Sequence, residues 1–264
     1  MKILVLIRQT ADSTTQIKIR PDGSDIERAG VKLVVNPFDE FAIELAVRLR
    51  ESRSDVAGIT AVAAGPPSAA EALRTALAIG ADDAIHLQDA AFEKLDELQV
   101  ASVIAAAVGS VGYDLVLAGK QEIDLDSGQI GPALAEFLDL PHVGAVTTLD
   151  VAADGKSLTA RRRVEGAEEV AKSSLPCVLT IEKGLVECRY PSLPNLMKSK
   201  KKPLKVMTKA DVPKFDEVVG RVGGSAMHEL QPPPPRPPGK VLKGDAADSA
   251  AQLVKMLREE AKVI

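Results

Sequence analysis

Four short apolar runs, ILVLI at 3–7, GITAVAAG at 58–65, DAIHLQ at 83–88 and LVLAG at 115–119, alternate with longer segments of helical period. Runs of this length read as strands covered on both faces, and single strands separated by helices imply parallel pairing through helical crossovers. The first intervening helix, NPFDEFAIELAVRLRES, has Asn36 as a candidate cap and Pro37 at its first position. Asp39 lies near its positive end, and Phe38, Ala42, Ile43, Leu45, Ala46 and Leu49 form its apolar stripe. SAAEALRTALAIGA, with Gly80 as its stop, and LDELQVASVIAAAVGSV supply the next two helices. The expected fold is a doubly wound, mostly parallel α/β sheet with right-handed crossovers.

Other segments depart from this alternation. TTQIKIRPDGSDIE reads as a polar hairpin turning at Pro21-Asp22-Gly23. After Pro141 come AVTTLDV, SLTARRRV, EEVAKS and PCVLTIE with no long helix between them, a β-rich extension of the sheet. Residues 185–203 read as a loop rich in turn formers, and residues 204–240 as irregular, ending in the extended proline run QPPPPRPPG. DAADSAAQLVKMLREEA is a final helix with a stripe through Ala250, Leu253, Val254 and Leu257. On a proline-rich tether it needs a surface to dock on, either its own domain or a partner. The expected division is therefore residues 1–203 as a nucleotide-binding domain and residues 204–264 as a C-terminal arm.

The candidate site is YDLVLAGKQEIDLDSGQIG, residues 113–131. Leu115 to Ala118 make the strand, and Gly119 ends it where a ligand or another backbone can approach. Gln121, Glu122, Asp124, Asp126, Ser127, Gly128 and Gln129 then crowd before Pro132 and ALAEFL, setting polar groups beside free helix N–H donors. Such a loop suits a ribose and a phosphate, although helix capping is the simpler use of its Asp and Ser residues. It matches neither GxxxxGK[ST] nor GxGxxG, so the residues alone support no generic ATP or NAD assignment.

Composition excludes several classes. The chain has 264 residues, with 45% hydrophobic, 27% charged and 3% aromatic; it has no Trp, and its net charge is −4. This describes an aliphatic globular core, unsuited to stacking nucleic-acid bases. Cys177 and Cys188 form no disulfide framework or zinc spacing, which points to a reducing, cytoplasmic setting. The apolar run near the N-terminus has only five residues, too short for a membrane span. His86, His142 and His228 lack ligand spacing, and no residue pattern suits acid/base or nucleophilic catalysis. The expectation is a subunit without stand-alone catalysis and without a metal.

The motifs ILVLI, VNPFDEFAIELAVRLRE, AAGPPSAAEALRTALAIGADDAIHL, YDLVLAGKQEIDLDSGQIG, LPCVLTIEKG and RYPSLPNLMKSKKK occur in that order. Over nearly its whole length the chain resembles the beta subunit of electron transfer flavoproteins. The resemblance implies a Rossmann-like fold of the adenine nucleotide-binding type that buries AMP. It also implies an alpha subunit that supplies the FAD domain and receives the C-terminal arm. The heterodimer would carry electrons from acyl-CoA or other dehydrogenases, as in fatty acid oxidation, to a membrane quinone oxidoreductase or another acceptor.

Carried over by motif, the nucleotide contacts fall on Leu6, Asn36, Ala64 and the loop Glu122, Ile123, Asp124, Leu125, Asp126, Ser127, Gly128, Gln129, Ile130, Gly131 and Pro132. These are ends of strands or starts of helices, where open α/β sheets bind ligands on general grounds. Asp124 or Asp126 would accept from ribose hydroxyls or organise the loop. Ser127, Gly128, Gln129 and nearby N–H groups would receive phosphate, with Gly131 permitting close approach. An electron-bifurcating branch of the family holds a second FAD in place of AMP, with loops like DGDTAQVGP against DDDxNQTGQ for AMP. Here DLDSGQIGP mixes the two patterns, and Leu125 replaces a glycine that would leave room for an isoalloxazine ring. AMP is the expectation, with a second FAD as the alternative.

The basic loop PSLPNLMKSKKKP reads from its residues as a solvated charge run. The resemblance instead implies that it docks on dehydrogenases, with Leu193 inserted in the partner. Pro194, Leu196 and Met197 are its neighbours, and Lys198, Lys200, Lys201 and Lys202 would steer acidic partners. A nucleotide sensor of the universal-stress type is the distant alternative, and the C-terminal arm argues against it.

Overall fold

A computed structural model describes residues 1–226, 228–236 and 238–264. Met227 of the arm and Pro237 of the proline run lie outside the described residues. The alternation becomes β1 (Lys2–Leu6), α1 (Pro37–Ser52), β4 (Gly58–Ala64), α2 (Ala69–Ile79), β5 (Asp83–Leu87), α3 (Glu97–Val108) and β6 (Leu115–Gly119). β4 and β6 flank β1 and run parallel to it, and β5 runs parallel to β4. Two three-residue strands, β2 (Gln9–Ala11) and β3 (Leu33–Val35), pair antiparallel and close the base of the polar hairpin. That hairpin bridges Ile19 to Ile26 and turns through Gly23 at φ 67°.

The β-rich extension comprises β7 (His142–Val151), β8 (Ser157–Val164), β9 (Ala167–Ser174) and β10 (Cys177–Ile181). β10 returns to lie between β6 and β7, and with a further strand, β11 (Leu204–Met207), the nine-stranded sheet has the order β11-β5-β4-β1-β6-β10-β7-β8-β9. β7, β8 and β9 form an antiparallel meander at one edge.

The other edge corrects the sequence reading. Residues 204–240 do not begin irregularly, because β11 (Leu204–Met207) pairs parallel to β5 and α6 (Phe215–Gly220) follows it. Met207, Val212 and Phe215 are buried with α3, and the Phe215 ring lies 5.5 Å from that of Phe92. The sheet and its helices thus run to Gly220. Residues 185–203 likewise are not all loop, since α5 (Leu193–Ser199) forms within them, capped by Ser192.

Aliphatic side chains fill both faces of the sheet. One layer gathers Ile3, Val5, Ile43, Leu73, Leu117 and Leu179, and the other gathers Leu4, Val62, Ile104, Val116, Leu134 and Val178. Alternate residues of β1 thus enter opposite layers, as expected for a strand buried on both faces. Gly80 ends α2 as read, and a Cβ there would lie 2.6 Å from Val47 Cγ2. The final helix forms as α7 (Ala246–Glu259), and none of its residues is buried within the chain. Among the described residues no helix is long and apolar enough to cross a membrane.

Candidate functional site

The strand order reverses at β1. β4 and β5 lie on one side of it, while β6 and β10 lie on the other. The crevice beyond the carboxyl ends of β1 and β6 is therefore the switch point at which open α/β sheets take ligands. Leu6 ends β1, Ala64 ends β4 and the 122–132 loop follows β6, so these expected contact residues share one edge of the sheet.

Asn36 joins them, but not as a helix cap. It is buried at the start of α1 without a capping bond. Its Nδ2 donates to Gln121 O at 3.0 Å, and its Oδ1 accepts from Ile123 N at 3.3 Å. A side chain spent on the loop is unavailable to the helix, and Asp39 takes over the neighbouring donors. The Asp39 carboxylate, 5% exposed, accepts from Arg8 N at 2.8 Å and Gly119 N at 2.9 Å. It ties α1 to the ends of both β1 and β6. Burial pushes its pKa up to about 7, against the pull of these two N–H groups.

The loop is organised from within by Glu122, which is buried. Its carboxylate accepts from Ser127 Oγ at 3.1 Å and Gly128 N at 3.2 Å, and its carbonyl accepts from Asp126 N. Asp126 and Gly128 both adopt positive φ, and Asp126 accepts from Gln121 Nε2. Leu125 projects outward, 41% exposed. The helix α4 (Ile130–Phe137) starts two residues before Pro132, which its first turn accommodates because the N–H there needs no helical partner. No side chain caps α4, leaving first-turn N–H groups for another acceptor. Gly131 has a packing role as well as the expected one. It is buried, and a Cβ there would collide with Thr180 Cγ2, so its lack of a side chain lets α4 pack on β10.

Two residues absent from the expected set complete the edge. Arg8, just past β1, donates to Asp124 Oδ2 at 3.0 Å and lies 3.8 Å from Glu97 at the start of α3. Glu97 Oε1 is buried without a hydrogen-bond partner among the described residues. Burial raises its pKa, and the charges of Glu122 and Asp124 add to this while Arg8 opposes it. Two carboxylates, Glu97 and Asp124, thus share the cation of Arg8, with the charge of Glu122 near enough to act on Glu97. The only sequence signal for Arg8 was its place immediately after a strand leading to a switch point.

The groups left available along this edge are donors and acceptors for a polar ligand. Uncapped helix N–H groups suit a phosphate, and buried or partly buried carboxylates with spare acceptor capacity suit ribose hydroxyls or an exocyclic amine. Among the described residues no group of three or more metal-ligating side chains comes together. His86 is buried with Nε2 3.2 Å from Gly65 O, and burial lowers its pKa.

Comparison with known proteins identifies the family. A family model described as "Electron transfer flavoprotein domain" matches residues 24–212. The chain belongs to the electron transfer flavoprotein family. It is 40% identical to the electron transfer flavoprotein subunit beta of Bacillus subtilis over the whole of both chains. It is 40% identical to the human subunit beta over 80% of this chain and 83% of that one. The mitochondrial subunit beta of Oryza sativa subsp. japonica is 37% identical, again over both full chains.

The basic segment is in part the solvated charge run read from its residues, and in part a short helix. Leu193 and Met197 stand 78% and 66% exposed on α5, beside Tyr190 at 97%; Pro194, Lys198, Lys200 and Lys201 are exposed too. Leu196 is half-buried. Lys202 leaves the expected steering set because its Nζ donates to Leu77 O and Ala81 O, capping the carboxyl end of α2. Below α5, the buried Glu44 takes bonds from Arg189 Nε at 2.7 Å and Arg48 Nε at 2.7 Å. Burial pushes the Glu44 carboxyl up, but the two guanidinium groups outweigh it and hold it below the ordinary carboxylate range.

Proposed function

We propose that the chain is the beta subunit of a heterodimeric electron transfer flavoprotein. In this reading it buries AMP at the carboxyl ends of β1, β4 and β6, and joins an alpha subunit that shares FAD with it. The reading is supported by family membership over the full chain, and by the uncapped start of α4 seated at the switch point between β1 and β6. FAD, when bound in the heterodimer, supplies the redox chemistry, and the side chains of this subunit bind and position.

The residues divide the work. Asn36 and Glu122 hold the loop in shape, the Ser127 hydroxyl staying on Glu122, so that Gln129 and the first-turn N–H groups of α4 receive a phosphate without rearrangement. Asp124, restrained by Arg8, faces the ribose side. Asp126 is occupied by Gln121 and shapes the turn. The exposed face of α5 meets the electron-donating dehydrogenases, and the apolar stripe of α7 in the C-terminal arm docks on the alpha subunit. Electrons pass onward to a membrane quinone oxidoreductase or another acceptor. Neither surface gives this subunit an activity of its own.

A second reading rests on the GQIGP half of the loop and places a second FAD where AMP would lie, in a bifurcating complex. The test is to copurify the subunit with its alpha partner, release the nucleotides by denaturation, and quantify them. One FAD and one AMP per heterodimer supports the carrier. Two FAD and no AMP establishes the second reading, and a heterodimer with no nucleotide beyond the shared FAD removes the site at Glu122–Pro132.

A further inference from the structure

We propose that Arg74 and Arg189 are positioning residues for partner docking. They clamp the two ends of α5 so that Leu193 and Met197 are presented in a fixed arrangement; this rests on the reading of α5 as the docking surface. A seven-residue helix has little stability of its own, and the large side chains of Leu193 and Met197 on it, with Tyr190 just before it, would not stay exposed in one arrangement without outside support. The structure supplies that support at both ends through charged groups on other helices.

At the leading end, Arg189 grips α1. Its guanidinium donates to Glu44 through Nε at 2.7 Å and Nη2 at 3.0 Å, and to Glu51 through Nη1 at 2.7 Å and Nη2 at 2.9 Å. Arg48 reinforces the grip by donating to Glu187 O at 2.7 Å. At the trailing end, Arg74 of α2 reaches up with one nitrogen, Nη1, to Ser199 O at 2.6 Å and Lys202 O at 2.9 Å. The Ser199 side chain is buried and closes on Leu196 O at 2.9 Å. The strand of chain between the anchors, residues 190–198, is the part whose apolar side chains face solvent.

The clamps contribute by pre-ordering. A surface already fixed in its bound shape loses less conformational freedom on docking, so its loss raises the partner concentration needed without altering the redox step. Arg189 suits the leading end because its planar fork satisfies both carboxylates at once, and Arg74 suits the trailing end because one nitrogen can serve two carbonyls.

The test uses the complete heterodimer and an acyl-CoA dehydrogenase reduced with butyryl-CoA. Arg74→Met is expected to raise the KM for the flavoprotein about fivefold, a cost of roughly one ordered side chain, with kcat and nucleotide content retained. Arg74→Lys should restore part of the loss, because an ammonium can still reach one carbonyl. In a Leu193→Ala background, Arg74→Met should add little, since the side chain it positions is gone. Amide exchange over residues 196–202 should quicken in Arg74→Met and not in Leu193→Ala. If Leu193→Ala raises KM but Arg74→Met leaves it unchanged, or if the two effects multiply fully, the clamp is overturned while the docking surface stands. If Leu193→Ala itself has no effect, the docking reading falls and the clamp with it.

Discussion

Gly119 donates its backbone N–H to Asp39 Oδ1 at 2.9 Å, and a side chain on Gly119 would collide with that same oxygen and with Phe38. The end of β6 and the start of α1 are thus in backbone contact directly beneath the nucleotide loop. Gly119→Ala is expected to destabilise the subunit by about 1–3 kcal/mol, the usual cost of forcing atoms into a filled space. Urea unfolding of the variant should show a lower midpoint at unchanged slope.

Asp39 predicts a pH dependence. Its folded pKa, about 7, lies above the value of 3.8 for an unburied Asp, so the folded state holds a proton that the unfolded state releases. Its contribution to stability is therefore full below the unfolded pKa, and is lost as pH rises through about 7. Unfolding measured at pH 5 and pH 8 should show wild type losing on the order of a few kcal/mol across that window. Asp39→Asn, which cannot ionise, should lose less. Parallel curves for the two proteins would place the titration elsewhere.

Glu122 is the internal support of the loop, so its removal should reach the nucleotide. Glu122→Ala leaves Ser127 Oγ and Gly128 N without their acceptor in a largely buried place, at a cost of about 1–3 kcal/mol. The heterodimer is expected to purify with well below one AMP and with its shared FAD retained. An unchanged AMP content would remove Glu122 from the loop's ordering.

These relationships show what was legible in the chain. The strands β1, β4, β5 and β6 follow from short apolar runs, and the 122–132 loop from polar residues crowded before a helix. The uses of individual side chains depend on residues distant in sequence. Asn36 carries the signature of a cap, yet bonds across to Gln121 and Ile123. Lys202 looks like one more surface charge, yet caps α2. β11 was missed because its four residues alternate weakly and acquire a partner only when β5 is beside them. α5 was missed because it is short: its Ser192 cap and Pro194 are also turn signals, and its support comes from bonds at Glu44 and Arg74, distant in sequence.

Leu193 stands apart from the nucleotide site and should behave independently of it. Leu193→Ala is expected to raise the KM for the heterodimer with a reduced dehydrogenase by about tenfold or more, as for a buried anchor at an interface centre. AMP and FAD content should not change. Replacing Lys198, Lys200 and Lys201 with Gln should instead slow association and flatten its dependence on ionic strength, because exposed charges act mainly on encounter. Equal effects of all these changes on kcat alone would contradict a docking role.

Leu125 provides the sharpest test between the two nucleotide readings. Its side chain is 41% exposed on the outer face of the loop, next to Asp124, whose carboxylate Arg8 holds. If AMP is the resident nucleotide because Leu125 denies room to an isoalloxazine ring, Leu125→Gly should allow FAD to compete for the site. The expected result is more than one FAD per heterodimer after the variant is refolded with FAD in excess over AMP, while wild type stays at one. A variant that retains one FAD and one AMP would show that the side chain is not the barrier. Selection would then lie with the remaining groups at the strand ends, where Glu97 and Arg8 are the charged candidates to exchange next.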